Sequence, residues 1–582
     1  MEQQLEHKRH TLAHVLAAEV LKKYPYAKLA LGPAIDNGFY YDIDFSDGET
    51  PGDDELKVLQ KAMKKQLSAW KEFTHKEVSE SEARAAFSGN EYKQELIDEI
   101  VAKGEKITLY TCANFTDLCR GGHCEHPDQE IDRDAFKLDK VAGAYWRGDE
   151  KNPMLSRIYG LAFETKENLE AYEQQIEEAK KRDHRKVGKE QDLFTFSELV
   201  GPGLPLWTPK GTIVRNLLDE YIWKLREKHG YQRVTIPHIT KKDLYETSGH
   251  WQKFGDELFR IQTREGKEYA LKPMNCPHHT QIFDRKPHSY REMPQRYAET
   301  TMVYRDEQSG ELGGLTRVLS ITQDDSHVFC RYNQVKEEFF RIWDIVDTFY
   351  GAFGFDEMRV RLSFHDPEEM DKHLGDRVVW EQAENSLREI AEERKADYFE
   401  AKGEAALYGP KLDFMAKDSL GREHQVATIQ LDMNLPEQFD LTCINEQGEK
   451  ERIVMIHCAI MGSIERFAAV LFEHLGGNFP LWLSPVQVRV IPVADAHTEY
   501  AKKVHEELLG VGIRAEFDDS KDSMGKKIRA AKQEKLPYFI VVGDKEVTDK
   551  MVTLEARDGE SKELPLDKIA NHLIAEIDTK KM

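Results

Sequence analysis

The first chemistry in the sequence is a pair of histidines four residues apart. The segment RHTLAHVLAAE places His10 and His14 before an apolar run that predicts a helix. Imidazoles at this spacing lie one above the other on one helical face, as in metal-binding helices. A second polar group, TDLCRGGHCEH, contains Asp117, Cys119 and His123. The residue types indicate either a metal site or a hydrolytic site.

Three interpretations of this group are open from the residues alone. Two histidines with Cys119 and His123 match the donors of a closed zinc site. The same side chains would also orient a water and an ester without metal. Alternatively, CANFTDLCRGGHCEH, with three cysteines and two histidines, would hold a structural zinc of its own.

A second polar cluster lies on a segment with the alternation of a strand. If residues 316–329 (TRVLSITQDDSHVF) are a strand, Arg317, Gln323, Asp325 and His327 share one face. A plain core strand would not carry so many polar groups beside its apolar side chains. An exposed strand end is the alternative interpretation.

Two arginines flank the loop that precedes this strand. The preceding strand ends in YRDE, which contains Arg305 and Glu307, and QSGELGGL follows with the glycines of a hairpin loop. Arg305 and Arg317 therefore lie at the two ends of one loop. Guanidinium groups bind oxyanions in a bidentate manner, so this pair predicts a phosphate clamp.

A strand followed by a helix gives a further anion-binding pattern. IVMIHCA predicts a strand and GSIERFAAVLFEHL a helix, which Gly462 and Ser463 begin. Free backbone N–H groups at a helix start favour anions, and Arg466 follows in the first turn. His457 shares a strand face with apolar residues, and a lone histidine there is more often a core residue than a ligand.

Length, charge and cysteine usage restrict the class of protein. A chain of 582 residues predicts about three or four domains. The net charge of −23 excludes nucleic-acid binding through a general basic field. No stretch reaches the roughly 18 apolar residues of a membrane span, and the N-terminus lacks the pattern of a signal peptide. Seven cysteines in so long a chain fit a reducing cytosol.

Two polar or Gly/Pro-rich stretches divide the sequence into three regions. A charged segment at 168–190 predicts an exposed connecting helix, and GGNFPLWLSP at 476–485 predicts a second boundary. The regions are 1–175 with its linker helix to about 190, 184–480, and 482–582. From Trp482 to Met582 there are 17 Lys and Arg against 19 Asp and Glu, a net charge of −2. This region therefore repels phosphate less than the rest of the chain does.

The predicted fold class is α+β and multidomain. In the last region, strands such as VQVRVIPV and YFIVVGD alternate with helices such as HTEYAKKVHEELLG, which favours a small α/β domain. The middle region has strands in consecutive runs and helices elsewhere, which indicates an antiparallel sheet flanked by helices.

The motifs of the middle region resemble those of class II aminoacyl-tRNA synthetases. VTIPHI with Pro237 resembles motif 1, YRDE through LTRV resembles motif 2, and GSIERF resembles motif 3. LKPMNCPHH, ITQDDSHVF, LYGPKLDF and IHCAIMGSIERF, in that order, are similar to the threonyl-tRNA synthetase family. The resemblance runs from about residue 5 to the C-terminus. It implies an editing domain, a class II catalytic domain and an anticodon-binding domain, in that order.

The resemblance implies one zinc ion per subunit, held by Cys276, His327 and His457. Three protein ligands leave zinc an open position, where the amino group and hydroxyl of L-threonine would bind. Valine lacks the hydroxyl and would be rejected. The resemblance also implies that Asp325 binds the ammonium group, with Gln323 helping to orient it. Tyr408 and Gln430 are implied to lie near the amino acid.

The implied reaction joins threonine to tRNA-Thr in two steps that use ATP. Arg305 would hold the α-phosphate and Arg466 the γ-phosphate, while Glu307, Arg317 and Ser463 would help seat the nucleotide. Mg²⁺ would accompany ATP, and no motif indicates its ligands. An RNA-binding regulator without catalysis, or a class II synthetase for serine or proline, are the alternatives.

Serine differs from threonine only by one methyl group, which gives about 1–3 kcal/mol of discrimination. A hydrolytic site that clears Ser-tRNA-Thr is therefore expected. The resemblance assigns this editing to His10, His14, Asp117, Cys119 and His123, and hydrolysis without metal is the favoured interpretation.

The sequence departs from the family pattern at its N-terminus and at Cys458. A ubiquitin-like domain that many members carry is expected to be absent, since the editing helix begins within about ten residues of Met1. Cys458 stands where members often have arginine, and a buried structural cysteine is favoured over a fourth ligand. In the last region, the segment GDKEV contains Glu546. Glu555, on the strand that follows, stands where a basic residue would suit contact with RNA. Motif 1 implies a homodimer, and the expected location is the cytoplasm.

Overall fold

The computed structural model describes residues 2–45, 48, 50–355, 357–370, 373–374, 376–406 and 408–580. The chain divides into two compact units, Met1–Glu177 and Glu178–Met582. Within the described residues, no helix combines the length and apolar character that crossing a bilayer requires.

The first unit contains one long helix and two sheets. Its helices are α1 (Glu2–Lys23), α2 (Asp53–Gln66), α3 (Glu80–Ala86), α4 (Glu91–Ala102), α5 (Pro127–Glu130) and α6 (Lys166–Arg182), which continues past the unit's last residue. Its strands are β1 (Lys28–Leu29), β2 (Ala34–Ile35), β3 (Gly38–Asp44), β4 (Thr74–Val78), β5 (Ile107–Cys112), β6 (Phe115–Leu118), β7 (Phe136–Tyr145) and β8 (Met154–Ala162).

Helix α1 forms because its apolar residues recur at helical spacing. Leu12, Val15, Leu16 and Val20 are fully buried against strand residues such as Phe39. The strands form a sheet of order β1-β3-β8-β7, in which β2 also pairs with β3, and a second sheet of order β4-β5-β6. The packing of α1 fixes the histidines on its remaining face.

The second unit begins with helices α7 (His184–Glu190), α8 (Pro209–Lys228), α9 (Lys242–Thr247), α10 (His250–Lys253), α11 (Cys276–Asp284), α12 (Val335–Gly351), α13 (Arg377–Glu393), α14 (Asn434–Gln438) and α15 (Ile464–Leu475). The strands in this part are β9 (Phe194–Thr195), β10 (Leu206–Trp207), β11 (Gln232–Arg233), β12 (Ile239–Lys241), β13 (Arg260–Gln262), β14 (Glu268–Leu271), β15 (Gln295–Tyr304), β16 (Ser320–Cys330), β17 (Met358–Phe364), β18 (Tyr398–Lys402), β19 (Lys411–Lys417), β20 (Glu423–Asp432), β21 (Thr442–Ile444), β22 (Lys450–Arg452) and β23 (Val454–Ser463).

An eight-stranded sheet of order β11-β15-β16-β23-β20-β19-β17-β18 organises this part. All pairings are antiparallel except β11 with β15 and β17 with β18. One face carries Val328, Ile456 and Ile429 into the core formed with α8, α12, α13 and α15. Because successive side chains alternate, His327, His457 and Gln430 point to the opposite face. That face carries the candidate site.

The last part of the unit is a five-stranded sheet with helices. Its helices are α16 (Thr498–Gly510), α17 (Met524–Gln533), α18 (Asp544–Asp549) and α19 (Leu566–Thr579), and its strands are β24 (Val488–Pro492), β25 (Ala515–Phe517), β26 (Tyr538–Val542), β27 (Met551–Ala556) and β28 (Ser561–Pro565). The strand order is β25-β24-β26-β27-β28, parallel over the first three and antiparallel beyond. The predicted α+β multidomain class is confirmed.

Two local predictions need correction. The connecting segment is two helices rather than one, because the Asp183 side chain accepts the N–H of Arg185 and begins α7. Strand β16 begins at Ser320, so Arg317 lies in the loop before the strand and not on its face. Main-chain hydrogen bonds from Gly313 to Arg317 and from Leu319 to Gly203 hold residues 313–319 in a turn.

Candidate functional site

Three buried side chains from separate parts of the second unit meet on the open sheet face. Cys276 begins α11, and His327 and His457 lie directly opposite each other in the register of β16 and β23. Their donor atoms all lie within 4.8 Å of one another, and the residues are 1%, 1% and 7% exposed. A thiol with two imidazoles is a typical zinc donor set, so these residues fit the ion that the resemblance implies.

Each histidine of this cluster has a further partner on its other ring nitrogen. The Nδ1 atoms of His327 and His279 are 2.7 Å apart, and His457 Nε2 is 2.8 Å from Asp432 Oδ2. These contacts use His327 Nδ1 and His457 Nε2. The nitrogens that remain for a metal are therefore His327 Nε2 and His457 Nδ1. Partners of this kind orient metal-binding histidines and fix their tautomers.

Burial shifts the pKa of two members of the cluster, His327 and Cys276. It lowers the pKa of His327 well below its ordinary value, so the imidazole is neutral and has a lone pair to donate. Burial also raises the pKa of Cys276 well above its ordinary value, and the charges of Asp325 and Asp432 raise it further. The thiol would therefore ionise only beside a bound cation, which supports the fit to zinc.

The predicted amino-acid residues surround this cluster. Asp325 Oδ2 accepts a hydrogen bond of 3.0 Å from Asn275 Nδ2. The Tyr408 ring centroid is 4.7 Å from that of His457, and Gln430 lies opposite His457 in the sheet. Gln430 Nε2 donates to the carbonyl of Gly409, 3.1 Å away, which fixes the side chain.

A cavity of about 390 Å³ adjoins Asp325's strand and holds the predicted nucleotide residues. Arg305 lies against the Phe254 ring, and its buried Nε has no hydrogen-bond partner among the described residues. Arg317 donates to Glu307 over 2.8 Å. The lining residues that the sequence predicts are Arg305, Glu307, Arg317, Gln323, Ser463 and Arg466.

Helix α15 presents its N-terminus to this cavity. Ser463 caps it by accepting the N–H of Arg466 at 3.2 Å. Glu465 accepts hydrogen bonds from the N–H and hydroxyl of Thr322, at 2.8 and 2.7 Å. Glu465 is 1% exposed, so these bonds tie the start of the helix to β16. The arrangement suits an anionic ligand.

Several residues at this site escape reasoning from the sequence. His250 is fully buried with its Nε2 3.9 Å from Cys276 Sγ and its Nδ1 2.8 Å from Ser248 Oγ. Gln425 and Thr428 line the cavity from β20. A lone histidine gives no sequence signal, whereas the alternation in EHQVATIQ could have indicated Gln425. No sequence pattern indicates that His279 and Asp432 belong to the site.

A second cluster forms in the first unit. His10, His14, Cys119 and His123 have donor atoms that all lie within 4.8 Å of one another. His14 Nε2 is 3.2 Å from His10 Nε2, and Cys119 Sγ is 3.5 Å from His10 Nε2 and 3.4 Å from His123 Nε2. Gly122, at φ 85°, turns the loop so that its carbonyl lies 3.1 Å from His10 Nδ1.

Asp117 is the centre of a buried polar group beside this cluster. Its carboxylate contacts Lys93 Nζ and Tyr41 Oη, each at 2.5 Å, and lies 3.5 Å from His14 Nδ1. These residues line a cavity of about 800 Å³. Lys93 and Tyr41 were not predicted, because YKQEL and FYYDID carry no spacing that links them to Asp117.

Burial opposes charge throughout this second cluster. It lowers the pKa of His123 to about 2, with the neighbouring histidines adding to the shift, and it lowers that of His14 well below its ordinary value. It raises the pKa of Cys119 to about 11. Neutral imidazoles are available as hydrogen-bond acceptors for a water, and as ligands for a metal.

Three further cysteines, Cys112, Cys124 and Cys458, are buried in apolar cores. Cys112 and Cys124 are buried in the apolar core of the first unit, outside the four-donor cluster found among the described residues. This arrangement does not support a separate structural zinc in CANFTDLCRGGHCEH. Cys458 points into the core on the sheet face opposite His457, as a structural cysteine would.

In the last part of the chain, the Glu546 carboxylate accepts hydrogen bonds from neighbouring residues. It accepts the N–H of Gly543 at 2.9 Å and the hydroxyl of Thr553 at 2.9 Å. Glu555 lies on β27 opposite Phe539 and Ser561.

Comparisons with known proteins agree with these observations. Residues 259–475 match the tRNA synthetase class II core domain (G, H, P, S and T), and residues 487–576 match the anticodon binding domain. The threonine–tRNA ligase of Cytophaga hutchinsonii is 46% identical over 559 residues, 95% of this chain and 85% of the relative. That of Staphylococcus aureus is 45% identical over 583 residues, 100% of this chain and 90% of the relative.

Solved structures give the same assignment. The RNA binding domain of threonyl-tRNA synthetase from Cryptosporidium parvum Iowa II aligns with a TM-score of 0.65 at 39% identity, covering 68% of this chain and 98% of that one. A putative threonyl-tRNA synthetase, ThrRS-1, from Aeropyrum pernix aligns at 0.60 and 28% identity, covering 69% and 97%. With the class II core, the anticodon binding domain and relatives of this similarity over nearly its whole length, the chain belongs to the threonyl-tRNA synthetase family.

Proposed function

We propose that this chain is a threonine–tRNA ligase that uses the Cys276, His327 and His457 cluster to select threonine. The observation that carries the proposal is the position of this donor set beside a cavity that contains Arg305, whose Nε has no hydrogen-bond partner in the described part of the chain. In the first step an oxygen of the threonine carboxylate attacks the α-phosphorus of ATP, and the bond to pyrophosphate breaks. In the second step the terminal ribose hydroxyl of tRNA-Thr attacks the threonyl carbonyl, and AMP leaves.

The three donors would hold one Zn²⁺ per subunit. When bound, this ion supplies a Lewis-acidic position for the amino and hydroxyl groups of the substrate. The chain's own residues orient the amino acid: Asp325 faces the ammonium group with Gln323 beside it, while Tyr408 and Gln430 enclose it. A pocket that engages the hydroxyl rejects valine more strongly than an apolar pocket does.

Charge on the nucleotide is met by the arginines of the second cavity. Arg305 stabilises the α-phosphate as negative charge develops there, and its Nε has no partner among the residues that the structure describes. Arg466, in the first turn of α15, binds the γ-phosphate. Glu307, Arg317 and Ser463 seat the nucleotide, and Mg²⁺ accompanies the ATP phosphates.

The first unit would hydrolyse Ser-tRNA-Thr. Its cavity is lined by His10, His14, Asp117 and Cys119, with His123 adjoining them, and neutral imidazoles orient a water towards the ester. Lys93, buried against Asp117, supplies positive charge for the developing oxyanion. We propose that this hydrolysis proceeds without metal.

The subunit would act as a cytoplasmic homodimer. Ile239, in the motif 1 segment, is half exposed, which supports a partner surface there. Further exposed apolar side chains lie from the end of β9 to the start of β10: Phe196, Leu199, Val200 and Leu206. Light scattering of the full chain measures the assembly state. All seven cysteines are free, which suits a reducing compartment.

The test of the proposed function is ATP–pyrophosphate exchange with different amino acids, run beside metal analysis of the same protein. Threonine should support exchange, serine should support it more weakly, and valine should not. The protein should contain one zinc per chain. Exchange with serine or proline but not threonine, or no exchange by zinc-loaded protein, would contradict the proposal.

A further inference from the structure

His184 is a buried histidine of the second unit that no step of the proposed reaction uses. The residue is 5% exposed and begins α7. Its ring and the carboxylates of Asp183 and Glu473 have ligand atoms that all lie within 4.8 Å of one another. However, the Asp183 carboxylate already accepts hydrogen bonds from Arg185. The Glu473 carboxylate accepts one of 2.6 Å from Arg422. These contacts favour a hydrogen-bonded network over a metal site.

The Glu473 carboxylate holds one side of the His184 imidazole. Glu473 Oε1 accepts the backbone N–H of His184 at 3.1 Å and lies 2.7 Å from its Nδ1. Burial raises the pKa of Glu473, but the hydrogen bonds from His184 and Arg422 outweigh burial and hold that pKa below its ordinary value. Glu473 is therefore an ionised acceptor for a proton on Nδ1.

The other ring nitrogen of His184 holds the loop before β16. The N–H of Leu315 donates to His184 Nε2 at 3.1 Å, and Leu315 is fully buried. Gly314, at φ 56°, permits this approach, because a Cβ there would lie 2.3 Å from Nε2. Since Nε2 accepts a hydrogen bond, Nδ1 carries the ring proton and donates it to Glu473. One imidazole thus joins the loop to helix α15.

The two elements that His184 joins both contribute to the nucleotide cavity. The turn at residues 313–319, which the ring anchors, carries Arg317. Helix α15 has Glu473 in its last turn and Arg466 in its first turn. Arg317 and Arg466 both line the cavity. The imidazole therefore sets the position of the loop arginine relative to the helix.

We propose that His184 is a positioning residue for ATP, which holds the loop that carries Arg317 in its binding position before the nucleotide arrives. A loop that is fixed in advance costs ATP binding no ordering. Without the Nε2 acceptor, the buried N–H of Leu315 would lose its partner, and the loop would leave this position. ATP binding would then have to order the loop. The inference rests on the proposed role of Arg317 in seating ATP.

The experiment compares two substitutions that each keep one of the two ring contacts. His184→Asn places an amide N–H near the position of Nδ1, so it keeps the bond to Glu473 and loses the bond to Leu315. His184→Gln places an amide oxygen near the position of Nε2, so it keeps the bond to Leu315. In ATP–pyrophosphate exchange, His184→Asn should raise the KM for ATP by about fivefold, the factor that one neutral hydrogen bond gives. Its threonine KM and zinc content should equal those of wild type, as should the ATP KM of His184→Gln.

His365 offers a matched control, because its contacts repeat one half of this arrangement. Glu384 Oε1 accepts the backbone N–H of His365 at 3.0 Å and lies 2.6 Å from its Nδ1. Its Nε2 has no hydrogen-bond partner among the described residues. His365→Asn should therefore leave the ATP KM unchanged. A rise equal to that of His184→Asn would overturn the inference, because loss of any buried imidazole would then have the same effect.

Hydrogen exchange at the Leu315 amide, read by mass spectrometry, measures the loop contact without the reaction. In wild type and His184→Gln this amide should be protected in the absence of ATP. In His184→Asn it should exchange faster, and ATP should slow that exchange. If His184→Asn does not fold, the wild-type measurement decides. A wild-type Leu315 amide that exchanges as fast as an amide in an unfolded chain would overturn the inference.

The ranking of the two variants is decisive. An ATP KM that is raised in His184→Gln and unchanged in His184→Asn would overturn the inference, since only the contact with Glu473 would then matter. Equal rises in the KM for ATP and threonine would also do so, as would a change in His184→Asn below about twofold, which is less than a weak hydrogen bond gives.

Arg317→Ala separates this inference from the proposed function. If Arg317→Ala raises the ATP KM and His184→Asn does not, only the role of His184 fails. If Arg317→Ala has no effect on the ATP KM, the proposed role of Arg317 fails as well.

Discussion

Replacing Asp432 by asparagine tests whether the His457 imidazole is held for a metal. Asp432 is fully buried, with Oδ2 2.8 Å from His457 Nε2. Its Oδ1 accepts the N–H groups of Asn434 and Leu435 at 2.8 and 2.9 Å. Asparagine keeps the Oδ1 acceptor and therefore the start of α14, but its amide nitrogen replaces the oxygen that faces the ring.

An amide nitrogen facing His457 Nε2 requires that Nε2 accept a hydrogen bond. The ring proton must then move to Nδ1, the nitrogen that remains for a metal. Loss of such an outer partner lowers metal affinity by about 10–100-fold. At 25 °C this corresponds to about 1.4–2.7 kcal/mol of zinc binding free energy. The threonine KM should rise at limiting zinc and recover at excess zinc.

The assay is competition for zinc against a chelator of known affinity, with zinc content measured on the full chain. Asp418→Asn is the matched control, because Asp418 is also a buried carboxylate that contacts a histidine, His424 Nε2 at 2.9 Å, outside the donor cluster. Its zinc affinity should equal that of wild type. Wild-type zinc affinity in a folded Asp432→Asn protein would refute the reasoning.

The other site residues have expected phenotypes that separate the two activities. Cys276→Ser should lower zinc content and threonine-dependent exchange together, and unchanged exchange with threonine would contradict the assignment. His10→Ala combined with His14→Ala should leave exchange intact while Ser-tRNA-Thr accumulates; clearance of serylated tRNA at the wild-type rate would contradict the editing role. Arg305→Ala should slow exchange by about 10²–10³-fold in single-turnover measurements, since one preorganised donor to the developing charge is lost.

Local patterns in the sequence predict many of the helices and strands, but they do not predict which distant strands pair. The alternation in ITQDDSHVF correctly indicates that Gln323, Asp325 and His327 share a face, and β16 has that face. The strand begins later than predicted, at Ser320, because residues 313–319 form their hydrogen bonds within a turn and with Gly203. Turn closure by a remote residue leaves no periodic signal in the sequence.

The donor set itself shows what the sequence alone lacks. His327 and His457 are adjacent only because β16 and β23 pair in one register, across 130 residues of chain. Composition and spacing do not specify that register, so these ligands were predicted from family resemblance. His279 and Asp432 escape prediction for the same reason, since each contacts a histidine that is remote in sequence.

The chemistry of the substrates explains why the chain would need both clusters. A pocket that binds an amino group and a hydroxyl separates threonine from valine through a polar group, but it separates threonine from serine only through one methyl, about 1–3 kcal/mol. Enlarging that difference within the same pocket is impossible, because the smaller substrate makes every polar contact of the larger one. Discrimination must then come from a second cavity that acts after transfer. The first unit has such a cavity, with neutral imidazoles beside the buried Asp117 and Lys93 pair.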